Sequence, residues 1–171
     1  GYILTATSSG LTSAASSAFN LATGAATQLV YATQPADSTS GELLATQPVL
    51  SIKDALGNVI TSSTATVSLA LSAGTLAGTT SLNAVSGVAT FTDLSVSTSG
   101  AGLTLTASSA GLTSAVSSSF AVLAGDASAV SVVTQPSGGT GGTVFSTQPV
   151  AHIVDAEANL AASPGNVTVT I

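Results

Sequence analysis

Residues 45–59 read ATQPVLSIKDALGNV, and residues 146–160 read STQPVAHIVDAEANL. The same distance of 101 residues separates Phe19 from Phe120 and Gln34 from Gln135. Self-similarity at a fixed period is the signature of a tandem repeat. The spacing shortens by one near the end, where Val167 matches Val67, which predicts that one loop residue is missing after Asn159. The sequence therefore contains one complete unit of about 101 residues, with parts of the units on either side of it.

The repeat divides the chain into three segments. Short Ala- and Gly-bearing hinges, ATG at 22–24 and LAG at 123–125, follow strand-like patterns that contain Phe. The predicted boundaries are the last strands of a preceding repeat at 1–22 (the first segment), one complete repeat at 25–123 (the middle segment) and the first half of a following repeat at 126–171 (the last segment). Neither end segment is expected to fold alone. We favour continuation of the array over strand exchange with neighbouring subunits.

The composition predicts an all-β protein. Charged residues make up 5% of the chain and hydrophobic residues 44%, without Met or Trp. Ordinary soluble domains are about 25% charged. The chain is rich in Val and Thr, which favour strands, and in Ser and Gly, which favour tight turns. A period of about 101 residues also fits the size of an immunoglobulin-like β-sandwich, which has about 100.

The charge excludes several classes of partner. The net charge is −6, with seven acidic residues and one basic residue. Binding to nucleic acid requires Lys and Arg to neutralise phosphates, and docking on anionic membranes has the same requirement. No apolar run approaches the ~20 residues of a membrane-spanning helix. Because the surface is predicted to be rich in Ser and Thr and poor in Lys, we expect an extracellular location at the cell surface.

Alternation of apolar and polar residues predicts about seven short strands in the middle segment. In the strand at 48–54, Leu50 and Ile52 are expected to point inward, and Ser51 and Lys53 outward. The alternation breaks at 92–93, which predicts a bulge or bend. The other residues expected to point inward are Val67, Leu69, Leu71, Phe91, Leu94, Val96, Leu103, Leu105, Ala107 and Phe120.

Two motifs carry a resemblance to a known family. A D-A-x-G-N turn occupies 54–58, and a G-V-A-T strand begins at Gly87. With these motifs the whole chain resembles the bacterial immunoglobulin-like repeats of invasin- and intimin-type proteins and of giant repetitive adhesins. The resemblance implies a β-sandwich that serves as a spacer, an adhesin or a coat component. The second copy departs from the turn motif, because Glu157 and Ala158 replace Leu56 and Gly57.

The turn motif also supplies the candidate metal ligands. Asp54 and Asn58 in one copy, and Asp155 and Asn159 in the other, with Glu157, could offer oxygen atoms to calcium. Calcium takes six to eight oxygen ligands, usually with several carboxylates. We therefore favour the alternative, a turn in which the Asp side chain accepts hydrogen bonds from nearby backbone N–H groups. No cofactor is predicted beyond this calcium hypothesis.

Other reactive side chains give weaker signals. His152 is the only histidine, and its counterpart is Ser51, so an exposed strand position is expected. Lys53 faces outward and is replaced by Val154, which argues against an isopeptide bond. Asn166 begins an N-V-T sequon and is a glycosylation candidate. The sequence thus predicts no catalytic residue, and we do not expect an enzyme.

The leading functional hypothesis is structural. Repeats joined end to end would form a stalk, filament or coat on a prokaryotic cell, with neighbouring repeats and other copies of the protein as partners. One alternative is an adhesin that binds glycan or protein, which would require an exposed aromatic or charged patch, whereas Phe19, Phe91 and Phe120 are expected to be buried. Another alternative is an accessory domain of a secreted enzyme that acts on polysaccharides.

Overall fold

A computed structural model describes residues 1–161 and 167–170. The described residues form sixteen strands of two to six residues and no helix, so the prediction of an all-β protein is confirmed. Because there is no helix among them, none of these residues provides a helical membrane span. The strands are β1 (Thr5–Ala6), β2 (Ala14–Ala15), β3 (Gln28–Thr33), β4 (Ser38–Thr39), β5 (Val49–Lys53), β6 (Thr66–Leu71), β7 (Leu76–Ala77), β8 (Ser81–Asn83), β9 (Val88–Thr90), β10 (Ser95–Val96), β11 (Gly100–Leu103), β12 (Leu105–Ser108), β13 (Ala115–Val116), β14 (Phe120–Leu123), β15 (Ala129–Thr134) and β16 (Val150–Val154).

The middle segment is built from several small sheets. One has the order β3-β5-β9, and another has the order β13-β12-β6-β8, with antiparallel neighbours throughout. A third sheet, β11-β14-β4, contains a parallel pair, in which Val122 lies opposite Ser38. A two-stranded sheet joins β10 to β7. This arrangement is consistent with a β-sandwich.

One apolar core lies among these sheets. The largest fully buried side chain is Phe91, and Leu50 and Ile52 of β5 are also completely buried. Val67 and Leu105 reach the same cluster from the four-stranded sheet. Burying a side chain of this size contributes about 1.5–3 kcal/mol. Since the chain has few charges and no disulfide, this burial is the main source of its stability.

The predicted inward positions are largely confirmed. Nine of them are buried, namely Val67, Leu69, Phe91, Leu94, Val96, Leu103, Leu105, Ala107 and Phe120. Leu71 is partly buried against the same core. The outward prediction for Ser51 is wrong, because Ser51 is buried. It lies on β5, the central strand between β3 and β9, where neighbours on both sides shield a small side chain.

The prediction of seven strands is also wrong as a count, because the middle segment contains twelve short strands. The break at 92–93 explains one division, since β9 ends before it and β10 begins after it. There the Asp93 carboxylate accepts hydrogen bonds from the Thr79 backbone N–H at 3.0 Å and the Thr79 hydroxyl at 2.7 Å. Gly78 has φ +95°, and a Cβ there would lie 2.2 Å from the Asp93 carbonyl oxygen. Only glycine permits this close approach.

The two end segments are small hairpins. In the first segment β1 pairs with β2, and Tyr2 pairs with Phe19 with their ring centroids 6.1 Å apart. In the last segment β15 pairs with β16. The expectation that Phe19 is buried is wrong, because Phe19 is exposed. The described residues do not cover its hairpin, whereas the middle segment covers the counterpart Phe120.

Candidate functional site: the joint between the middle and last segments

The Asp54 turn ties the end of β5 to the hinge that precedes the middle segment. Asp54 is buried, and its Oδ1 accepts hydrogen bonds from the backbone N–H groups of Leu56 at 3.0 Å and Asn58 at 2.8 Å. Its Oδ2 accepts from the Asn58 side-chain amide and from the Gly24 N–H, both at 3.0 Å. The hydrogen bond from the Asn58 side chain is the main reason that the pKa of Asp54 lies below its ordinary value.

The Asp155 turn repeats this geometry in the last segment. Asp155 Oδ1 accepts from the backbone N–H groups of Glu157 at 3.0 Å and Asn159 at 2.8 Å, and Oδ2 accepts from the hinge residue Gly125 at 2.8 Å. The replacement of Gly57 by Ala158 therefore leaves the turn intact. Ala158 has φ +66°, a left-handed conformation that costs about 1–2 kcal/mol for a residue with a Cβ.

Asp155 has one further partner, which lies in the middle segment. The Ser40 hydroxyl donates to Asp155 Oδ2 at 2.6 Å, and both residues are buried. The Gly125 N–H also approaches the Ser40 oxygen, at 3.2 Å. The hydrogen bond from Ser40 is the main reason that the pKa of Asp155 lies well below its ordinary range. A buried hydrogen bond to an ionised group is among the stronger polar interactions in proteins.

Asn159 adds a second contact between the same two segments. Its side-chain Nδ2 donates to the Ser97 carbonyl oxygen at 2.9 Å, and its Oδ1 accepts from the Ser99 N–H at 2.9 Å. The side-chain amide thus pairs with backbone on both its donor and acceptor sides. We call the five residues Ser40, Ser97, Ser99, Asp155 and Asn159 the Asp155 joint.

The corresponding residues of the other copy differ in their surroundings. Asn58 is exposed and its side chain donates to Asp54, whereas Asn159 is half-buried because it also contacts the middle segment. The counterpart of Ser40 in the last segment is Gly141, which has no hydroxyl to donate. The Asp turn is therefore common to both copies, while the hydroxyl of Ser40 is absent at the equivalent position of the last segment.

An acidic cleft of about 540 Å³ opens beside the Asp155 joint. Glu42, Asp126, Asp155 and Glu157 are among its lining residues. A Cβ on Gly41, which has φ +78°, would lie 3.1 Å from the Glu157 side chain, so the stem of Glu157 packs over this glycine. Among residues 1–161 and 167–170, no three side chains of Asp, Glu, His or Cys are grouped so as to hold a metal ion. The calcium hypothesis stays a prediction.

The remaining predicted residues lie outside the joint. His152 is half-buried on β16, opposite Ser131. The glycosylation candidate Asn166 falls outside the described residues. Sequence reasoning identified Asp155 and Asn159 but missed their partners Ser40, Ser97 and Ser99. No sequence pattern pointed to Ser40, because it lies 115 residues from Asp155.

Comparison with known proteins adds no relative. No protein-family model matches the chain, and a search of curated proteins finds no match. What can be inferred about function therefore rests on the sequence repeat and on the geometry of the joint.

Proposed function

We propose that this chain is a structural module of a tandem array of immunoglobulin-like repeats, which forms a stalk, filament or coat on the outside of a prokaryotic cell. The observation that carries the proposal is the Asp155 joint. In it, one buried carboxylate binds the hinge residue Gly125, its own turn and Ser40 of the preceding segment. A hinge fixed in this way holds successive units in one orientation, which is the property that a spacer requires.

The composition supports the same proposal. Lys53 is the only basic residue of the chain, so proteases that cut after Lys or Arg have a single target. The chain also contains no cysteine. Such a chain suits an exposed fibre. Each complete repeat would add roughly 30–40 Å to the length, given the rise along strands and the proportions of an immunoglobulin-like sandwich.

The rigidity of the joint can be tested with a matched pair of variants. In Asn159→Ala both side-chain contacts to Ser97 and Ser99 are lost, so we expect a wider spread of orientations between the middle and last segments. Fluorescence energy transfer between dyes on these segments should show a broader distance distribution than in the parent chain. Asn58→Ala removes the equivalent side chain from the exposed turn and should leave that distribution unchanged. Broad distributions in all three proteins would contradict a fixed joint.

The cellular role needs a separate measurement. Antibodies raised against the chain should label filaments, stalks or a surface layer when intact cells are imaged by electron microscopy. Labelling confined to the cell interior would overturn the proposal. The adhesin and accessory-domain hypotheses stay predictions, and a glycan array probed with the chain would favour the adhesin if it gave strong, selective binding.

A further inference from the structure

Residues 34–40 leave one sheet of the middle segment and run beside β14, the strand that leads into the hinge at 123–125. β3 pairs with β5 and ends at Thr33, just before Pro35. Since proline has no backbone N–H, it cannot continue the ladder of a sheet, and beyond it the chain crosses to β14. There β4 pairs with β14 in parallel, whereas the other strand pairs within residues 25–123, all of which the structure describes, are antiparallel.

Two side chains hold this parallel course before the pairing with β4 begins. Ser118 N–H donates to the Gln34 side-chain oxygen at 3.0 Å, and Ala121 N–H donates to the Asp37 carboxylate at 2.7 Å. In both pairs the partners are 84 residues apart. This separation stays constant along a parallel pair, because both chains advance in the same direction. The side chains of Gln34 and Asp37 thus extend the parallel register beyond the two-residue strand β4.

Backbone contacts continue the same register up to the hinge. Val122 lies opposite Ser38, and Leu123 lies opposite Thr39, with the same separation. Ser40 N–H then donates to the Leu123 carbonyl oxygen at 2.8 Å. We call residues 34–40 and 118–123 together the parallel clamp. It ends on the serine of the Asp155 joint, so the two features are continuous.

The two halves of the parallel clamp are pulled from opposite ends when the array is under tension. Tension on the hinge at 123–125 reaches β14 at its C-terminal end, whereas tension on the hinge at 22–24 reaches residues 34–40 at their N-terminal end, through β3. In a parallel pair these two ends lie at opposite ends of the ladder, so the force acts along the strands and is shared by the hydrogen bonds between them. In an antiparallel pair the pulled ends would lie side by side, and the bonds would break one at a time.

We propose that the parallel clamp bears the tension that passes along the array, and that Gln34 and Asp37 are load-bearing residues within it. The clamp ties the strand that leads into one hinge to the chain that follows the other hinge. The middle segment can therefore extend only after the clamp has broken. Resistance to forced unfolding is governed by the rate of unfolding and not by the equilibrium stability. This proposal rests on the proposed function, since a stalk or filament transmits tension along its length.

The direction of force provides the first test. Because the chain has no cysteine, the points of attachment can be chosen freely. Ala22→Cys/Ala127→Cys places both attachments at exposed residues just outside the middle segment, and Ala101→Cys/Ala127→Cys pulls β14 against its antiparallel neighbour β11. In magnetic tweezers at one constant force, the first pair should yield at least about tenfold more slowly than the second. Equal rates would overturn the proposal, because the fold is the same and only the direction of force differs.

Alanine variants test the clamp residues in the first geometry. Asp37→Ala removes the acceptor of the Ala121 N–H and should speed unfolding at constant force at least about threefold. Asp93→Ala is the matched control, because its carboxylate is also exposed and accepts from the Thr79 N–H at 3.0 Å, but lies outside the clamp. This variant should leave the rate under force close to the parent value. Equal acceleration by the two variants would contradict a load-bearing Asp37.

The double variant Gln34→Ala/Asp37→Ala removes both side-chain contacts of the clamp. It should unfold faster under force than Asp37→Ala alone, and no further acceleration would remove Gln34 from the clamp. Surface labelling of intact cells decides the proposed function separately. A chain that resists force through the clamp but labels only the cell interior would retain the load-bearing role of these residues and overturn the cellular role.

Discussion

The hairpins at 1–22 and 102–123 make the same local hydrogen bonds in opposite environments. Leu105 N–H donates to the Ser117 hydroxyl oxygen at 2.9 Å, and Leu4 N–H donates to the Ser16 hydroxyl oxygen at 3.0 Å. Ser117 is buried, whereas Ser16 is exposed. The local sequence thus forms the hairpin in either place, while burial depends on the strands that lie against it. Equivalent substitutions in the two hairpins should therefore have unequal effects.

The largest difference is expected between Phe120→Ala and Phe19→Ala. Removing a buried phenylalanine leaves a cavity in the core, so Phe120→Ala should lower the free energy of unfolding by about 3–5 kcal/mol. Phe19→Ala should change it by less than about 0.5 kcal/mol, as exposed positions usually do. Urea unfolding of the full chain, at a concentration too low for association, measures both values. Equal losses would mean that the first segment has a core of its own.

A smaller difference is expected between Ser117→Ala and Ser16→Ala. Without the Ser117 hydroxyl, the buried Leu105 N–H loses its acceptor, which should cost about 1–3 kcal/mol of stability. Water can replace the Ser16 hydroxyl at the exposed Leu4 N–H, so Ser16→Ala should cost about 0.5 kcal/mol or less. The same urea titration compares the two variants. A cost for Ser16→Ala that matched the cost for Ser117→Ala would show that the first hairpin is shielded in solution.

The smallest effect is expected at the Asp155 joint under acid. The pKa of Asp155 is lowered by the Ser40 hydrogen bond, so the charged carboxylate stabilises the joint above its ordinary pKa of 3.8. That contribution is lost progressively as the pH falls below this value. The distance distribution between the middle and last segments should broaden below about pH 4, with the core of the middle segment still folded.

The control for the acid effect is Asp155→Asn, which has no carboxylate to titrate at this position. This variant should show a broad distribution at neutral pH and little further change below pH 4. Glu42, Asp126 and Glu157 are the other acidic residues that line the same cleft. An Asp155→Asn variant with the same narrow distribution as the parent chain at neutral pH would mean that Asp155 does not control the joint.

Much of the middle segment could be predicted from its sequence. Leu50 and Ile52 were expected in the core and are completely buried, because alternation along a strand directly reports which face is buried. The predictions about the burial of Ser51 and Phe19 were wrong because alternation does not report what lies beyond the strand. The immunoglobulin-like order of the strands stays a prediction.

Fewer contacts of the Asp155 joint could be predicted from the sequence. The Asp turn was expected because the carboxylate and the N–H groups that bind it lie within four residues of one another. Ser40 and Asp155 are 115 residues apart, and Ser99 and Asn159 are 60 apart, so neither contact leaves a periodic pattern. The partners of Asp155 and Asn159 could be identified only from the tertiary structure, in which the middle and last segments are in contact.

The all-β class, the spacing of 101 residues and the turn at each aspartate can be derived from the sequence alone, because each depends on neighbouring residues or on direct self-comparison. Which apolar side chains are covered, and which serine reaches Asp155, can be seen only in the folded molecule. The physical reason is that alternation and turn chemistry act over a few residues, whereas burial and the joint depend on strands brought together from distant parts of the chain.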